Sequence, residues 1–292
     1  MTPRTFARLL LLAALWGGSF LCMRIAVPVL GPVPLMASRV ALATLLLGAL
    51  ALRVGQSFWP RRHWTEYLVL GVLNTALPFL LYAWAAQALS ASLLSILNAT
   101  APIWGAIWGA VWLRQLPDLR TAAGLATGLA GVGLIVGVDP AAHDHAGLLA
   151  MAAGVAAPAC YGLATTWLRT RSHGPAPAEA AHGSMFAATL VLLPLLPFAS
   201  APASLPGTVI LAVLALGLLC TGFAYRLYFT LIEEAGPTRA LTVTFLIPVF
   251  GVLWGHLLLG ETLSARSFAG AAVVIAGTML TTGFSLRALR RG

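Results

Sequence analysis

The 292-residue sequence has no lysine, only eight acidic residues, and 9% charged residues in all. A soluble domain carries about a quarter of its residues as charges. With 60% hydrophobic residues and a mean hydropathy of +0.91, this chain is built for a bilayer instead. Long polar stretches are also missing: the pieces between apolar runs are as short as "ALSAS" and "SAPASLP", which leaves no room for a separate soluble domain. Cysteine is scarce, and Cys22, Cys160 and Cys220 all fall in apolar runs, where they act as small apolar residues and report nothing about redox compartment. No HExxH, GxSxG or Walker motif occurs, so enzymatic readings have little support. "HDH" (143–145) has no further ligand at suitable spacing and reads as a solvated loop. Neither a metal nor a cofactor is expected.

The apolar runs that are present have the ~20-residue length of membrane helices rather than the ~10-residue alternation of outer-membrane strands. Ten spans are expected, at about 9–27, 33–53, 66–87, 92–113, 119–138, 147–168, 181–199, 207–230, 239–259 and 265–284. The first resembles a signal peptide, but no small-x-small cleavage site follows it, and it reads as a retained helix. With ten spans both termini share a side. Placing them in the cytoplasm puts thirteen of the 17 arginines in tails and inner loops, so the net charge of +9 sets orientation in a bacterial inner membrane and calls for no nucleic acid.

Residues 65–136 align without a gap on 211–282, with 19 identities in 72 positions that include Gly71/Gly217, Thr75/Thr221, Tyr82/Tyr228, Pro102/Pro248, Trp108/Trp254 and Gly131/Gly277. Such a match indicates internal duplication. Five spans per half is an odd number, so the second half is inverted. The expected fold is an all-α polytopic membrane protein, ten transmembrane helices in a five-plus-five inverted repeat, with 1–145 as the first repeat and 146–292 as the second. Inverted repeats are common in secondary transporters, where the site lies near the midplane and rocking of the halves gives alternating access.

"LWGGSF" (15–20), "MASRVALATLLL" (36–47), "LLYAWAAQALSAS" (80–92) and above all "PVFGVLWGHLLLGETLSARSFAGAAVVIAGTML" (248–280) resemble the EamA branch of the drug/metabolite transporter superfamily, over essentially the whole chain. Within it the chain is most similar to the YddG-type aromatic amino acid exporters. The resemblance implies the ten-helix inverted repeat and the export of amino acids or other small metabolites. A multidrug or other metabolite exporter is the alternative within transport. A membrane-embedded enzyme or receptor is the rival class, and it would show a polar catalytic cluster on one side.

Pro102 and Pro248 sit mid-span and free the carbonyls of Asn98 and Thr244, which either accept from a substrate ammonium beside a hinge or belong to ordinary kinks. Pro78 and Pro158 repeat the pattern in the third and sixth spans. Trp16, Tyr82, Trp104, Trp108, Tyr161, Tyr225 and Tyr228, with Ser19 beside Trp16, either line a cavity that stacks an apolar or aromatic side chain or simply pack helices. Arg39 either meets a substrate carboxylate bidentately or holds the bundle through backbone carbonyls. The span cores contain no carboxylate, and His256, the one mid-membrane histidine, reads as a packed or interhelically hydrogen-bonded neutral ring rather than a proton carrier, which favours facilitated diffusion or exchange over proton coupling. Small residues at three- and four-residue intervals in 122–137 and 269–280 give flat faces, read as internal scaffold or as a dimer seam. A monomer in the lipid bilayer with a small-molecule substrate, an amino acid, is expected, a dimer being the alternative. Asp118 and Ser264 are expected N-caps, and Glu261 a boundary residue at the membrane surface.

Overall fold

The structure is a computed structural model that describes residues 2–112, 114, 117–136, 144–171, 174–200, 202–236, 240, 242–262 and 264–282. Among the described residues ten helical spans follow one another: α1 (Pro3–Leu30), α2 (Pro32–Arg53), α3 (Trp64–Ala85), α4 (Ala91–Trp112), α5 (Leu119–Val136), α6 (His145–Arg169), α7 (Pro177–Phe198), α8 (Gly207–Ala235), α9 (Val243–Leu259) and α10 (Ala265–Thr281). Seven are long and apolar enough to cross a bilayer, while α5, α9 and α10 are shorter apolar helices. At 1.5 Å per residue a 17-residue helix still reaches about 25 Å. The chain is an all-α membrane protein built as a five-plus-five inverted repeat.

Local signals set the helix ends. Side chains of Thr2, Ser90, Asp118, Asp144 and Ser264 accept the amide of the third residue on, each satisfying one orphan donor. The expected caps Asp118 and Ser264 are among them. Hydrogen bonds from Thr121 hold the Asp118 carboxyl below its usual pKa. Gly31, Gly236 and Gly260 end α1, α8 and α9 at positive φ, where a side chain would be strained.

Packing follows the repeat. The flat faces of α5 and α10 meet each other: a Cβ on Gly131 would stand 2.7 Å from Val274 N, and Gly124 faces Gly277 O at 2.8 Å. Those stripes are an internal seam between the halves. The relation of α1 to α9 is copied by α6 and α4. Gly17 lies against Phe250 and Gly251, as Gly162 lies against Trp104 and Gly105. Trp254 Nε1 donates to Ala14 O at 3.0 Å, and Trp108 Nε1 to Ala159 O at 3.0 Å. Likewise α2 packs on α8 as α7 packs on α3.

The prolines do not act alike. Spans α3 and α8 both widen into π-helix, at Val72–Ala76 and Ala215–Phe223, and in α3 the wide turn comes just before Pro78, Leu77 N donating to Val72 O. Span α4 is interrupted between Asn98 and Ala101, just before Pro102, whereas α9 runs unbroken through Pro248, and α6 through Pro158. Thr278 of α10 donates to Ala99 O at 2.9 Å, so a side chain from the other half satisfies a carbonyl in the break.

Candidate functional site

Where α1, α2, α3, α6 and α8 meet, the structure gathers a ring of aromatic side chains around one cation. Trp16 on α1 stands 5.3 Å from Tyr228 and 6.2 Å from Tyr225 on α8, centroid to centroid. Tyr82 on α3 stands 6.4 Å from Tyr161 on α6. The second pair images the first, since Tyr82 aligns with Tyr228 and Tyr161 falls where Gly162 follows Gly17. Phe20, 5.4 Å from Tyr82, joins them. The Tyr82 hydroxyl donates to Asn98 Oδ1 at 3.1 Å, bringing the interrupted stretch of α4 to the cluster.

Arg39 is the cation, with only 6% of its surface exposed. Its Nε donates to Thr221 Oγ1 at 2.9 Å, Nη1 lies 4.0 Å from Met23 Sδ, and Cζ sits 3.5 Å over the Phe79 ring. Tyr161, Cys220, Tyr225 and Cys22 are its electrostatic neighbours. Burying an ion costs several kcal/mol, and a desolvated cation–π contact returns only about 2. Among the described residues no carboxylate completes the account: the ion pairs are Arg8 with Glu234 and His63 with Glu66, at helix ends. The backbone carbonyls expected as an alternative partner are not among its hydrogen bonds. The site therefore holds one desolvated guanidinium with donors to spare, walled by aromatic faces.

Other expected site residues lie elsewhere or are already committed. Ser19 is buried and donates to Trp16 O of its own helix at 2.6 Å. Trp108 uses its N–H on Ala159, Trp104 is half-buried with its backbone against Gly162, and Thr244 is half-buried on α9. His256 is exposed one turn from the end of α9, its Nδ1 3.1 Å from Glu261 O, rather than packed mid-membrane, because the helix stops at Gly260. Glu261 reaches back to the start of α4 and accepts from Ala91 N, Ser92 N and Ser92 Oγ at 2.8, 3.0 and 2.7 Å. Its role is a cap between spans, in keeping with a boundary residue. Among the described residues no group of three His, Cys, Asp or Glu could hold a metal, and His143 of the "HDH" stretch lies outside them.

Sequence reasoning missed Thr221, Phe79 and Phe20. Thr221 had a signal, its identity with Thr75 across the repeat. In the second half Thr221 Oγ1 also donates to Leu216 O, inside the π-helix, at 2.7 Å, while the buried Thr75 Oγ1 has no partner. The reason is an asymmetry: Gly217 packs on Arg39 O as Gly71 packs on Ser184 O, so the image of Arg39 is Ser184, too short to bond Thr75.

Comparison with known proteins agrees with the architecture. The profile of the EamA-like transporter family matches twice, at residues 6–137 and 148–283. An uncharacterized transporter of Archaeoglobus fulgidus is 24% identical over 92% of this chain and 95% of its own. A probable terminal-alkyne amino-acid exporter of Streptantibioticus cattleyicolor is 28% identical over 93% and 91%. A probable amino-acid metabolite efflux pump of Salmonella typhimurium is 31% identical over 34% of this chain and 38% of its own. A solved crystal structure shares the fold with a TM-score of 0.62 at 18% identity, covering 99% of both chains.

Proposed function

The chain belongs to the EamA-like transporter family, and from that premise we propose that it exports amino acids with aromatic or other apolar side chains. The family's members are transporters, so a small molecule crosses the membrane and no reaction is catalysed. The observation that carries the substrate reading is Arg39, a buried guanidinium with no acidic partner among the described residues, beside Tyr161 and Tyr225. A substrate carboxylate supplies the missing charge through a bidentate pair. The apolar side chain stacks among Trp16, Tyr82, Tyr161, Tyr225 and Tyr228, and the ammonium meets aromatic faces and the neutral oxygens around Asn98. Two relatives named for amino-acid export support the class.

The protein lies in a bacterial inner membrane, as a monomer with both termini cytoplasmic, in keeping with the arginine bias. Repeats 1–145 and 146–292 rock against each other about the site, with the turns at Pro78, Pro102, Pro158 and Pro248 absorbing the change, which is alternating access. The test is counterflow of labelled phenylalanine into proteoliposomes preloaded with unlabelled aromatic amino acids. Accumulation above protein-free vesicles is expected. No counterflow with any amino acid, alongside counterflow of a cationic drug, rejects this reading in favour of a multidrug exporter.

A further inference from the structure

Resting on that reading of the site, we infer that the site recognises the carboxylate end of its substrate and does not require the amine, so that apolar and aromatic monocarboxylates without an amino group are substrates as well, and the matching amines are not. Every described acid stands at a helix end. Glu66 and Glu179 lie in first turns, Asp118 and Asp144 are N-caps, Glu233 and Glu234 close α8, and Glu261 follows α9. None of them forms an ion pair in the middle of the bundle. An ammonium at the aromatic cluster meets only ring faces and neutral acceptors, and Asn98 Oδ1 already accepts from Tyr82. It also meets the like charge of Arg39, poorly screened in so dry a place.

A carboxylate meets the opposite situation. Its charge is complementary to Arg39, whose planar fork suits two carboxylate oxygens. Removing the amine from an amino acid forfeits weak contacts with rings and neutral oxygens. Removing the carboxylate forfeits the charge-assisted pair and leaves two cations facing each other. The repeat also limits the number of carboxylates to one. Because Ser184 stands where the image of Arg39 would be, the two-fold supplies a single cation.

The full chain in proteoliposomes, exchanging labelled phenylalanine, tests this with two competitors, 3-phenylpropionate and phenethylamine, at a pH near 7.5 and with protein-free vesicles subtracted for passive leak. 3-Phenylpropionate is expected to half-inhibit within about threefold of unlabelled phenylalanine, and phenethylamine at concentrations at least roughly tenfold higher, the ratio a charge-assisted pair gives. In Arg39→Gln the preference for the acid over the amine collapses; where that variant does not fold, the wild-type comparison decides alone. Robust phenylalanine exchange that phenethylamine blocks as well as phenylalanine does, or that 3-phenylpropionate leaves untouched, overturns the inference while the amino-acid reading stands. Absence of exchange with every amino acid is a different result, and overturns the proposed function and this inference with it.

Discussion

Thr44 Oγ1 and Thr189 Oγ1 lie 3.1 Å apart where α2 meets α7. The two residues are images of each other in the repeat, Thr44 in "ATLLL" (43–47) and Thr189 in "ATLVL" (188–192). A bond between a residue and its own image lies on the two-fold axis. Thr189 already donates to Met185 O at 2.8 Å, so Thr44 is the donor of the axial bond.

Thr44→Val removes that donor and leaves both groups of Thr189 usable, whereas Thr189→Val strands the Thr44 hydroxyl. Hydrogen bonds between membrane helices couple by about 0.6 kcal/mol. A double-mutant cycle on thermal unfolding of the detergent-purified protein is expected to return a coupling of that order, with Thr189→Val the costlier single change. Equal single-mutant costs with no coupling would show that the axial contact contributes nothing.

At the α5–α10 seam, Gly131→Ala drives a methyl toward Val274 N at 2.7 Å and Gly270 O at 3.0 Å, while a methyl on Gly133 meets nothing within 4 Å. Overpacking costs about 1–3 kcal/mol, and alanine gains up to about 1 kcal/mol over glycine in a helix where space is open. The melting temperature of Gly131→Ala is therefore expected to fall and that of Gly133→Ala to hold or rise. A matched response of the two would mean that the seam yields.

Much of this was legible in the sequence because the bilayer imposes it. Apolar runs of fixed length predicted ten spans, and matched Gly, Pro and Trp identities predicted a two-fold whose bonds, Trp108 to Ala159 and Trp254 to Ala14, are repeated across it. The small-residue stripes announced close packing, although only the folded chain shows that their partners are each other. The environment of Arg39 was less legible. A π-helix has no composition of its own when, as around Thr221, no proline enforces it, and the pairing of Arg39 with Thr221 spans 182 residues. Identical prolines do not dictate identical helices: a proline removes one donor, but whether the helix breaks, as before Pro102, or continues, as through Pro248, depends on what else satisfies the carbonyls.

Glu261 ties the end of α9 to the start of α4 through three accepted hydrogen bonds. Glu261→Ala leaves two amides at a helix N-terminus without their anion, at about 1–3 kcal/mol. Glu261→Gln keeps an acceptor but loses the charge. Thermal unfolding is expected to order the proteins wild type, Gln, Ala. An alanine variant as stable as wild type would mean that water replaces the carboxylate at no cost.

Carboxylates among the described residues stay at span ends, so no described carboxylate in the aromatic cluster is placed to carry a proton with each cycle. Counterflow is expected to continue at an unchanged rate when a protonophore collapses the gradient. Loss of exchange on collapse would require a coupling group outside this cluster.

Pro102 and Pro248 provide the sharpest contrast between repeat images. Replacing Pro102 with alanine restores a donor at the interruption of α4, allowing the helix to close over the stretch where Asn98 holds Tyr82 and Ala99 accepts from Thr278. Pro248→Ala restores a donor inside a helix that is already continuous. If the interruption is a hinge, Pro102→Ala slows counterflow severalfold with normal membrane insertion, and Pro248→Ala slows it far less. Equal slowing would locate the motion in both helices alike, and an unchanged rate in Pro102→Ala would remove the hinge from α4 altogether.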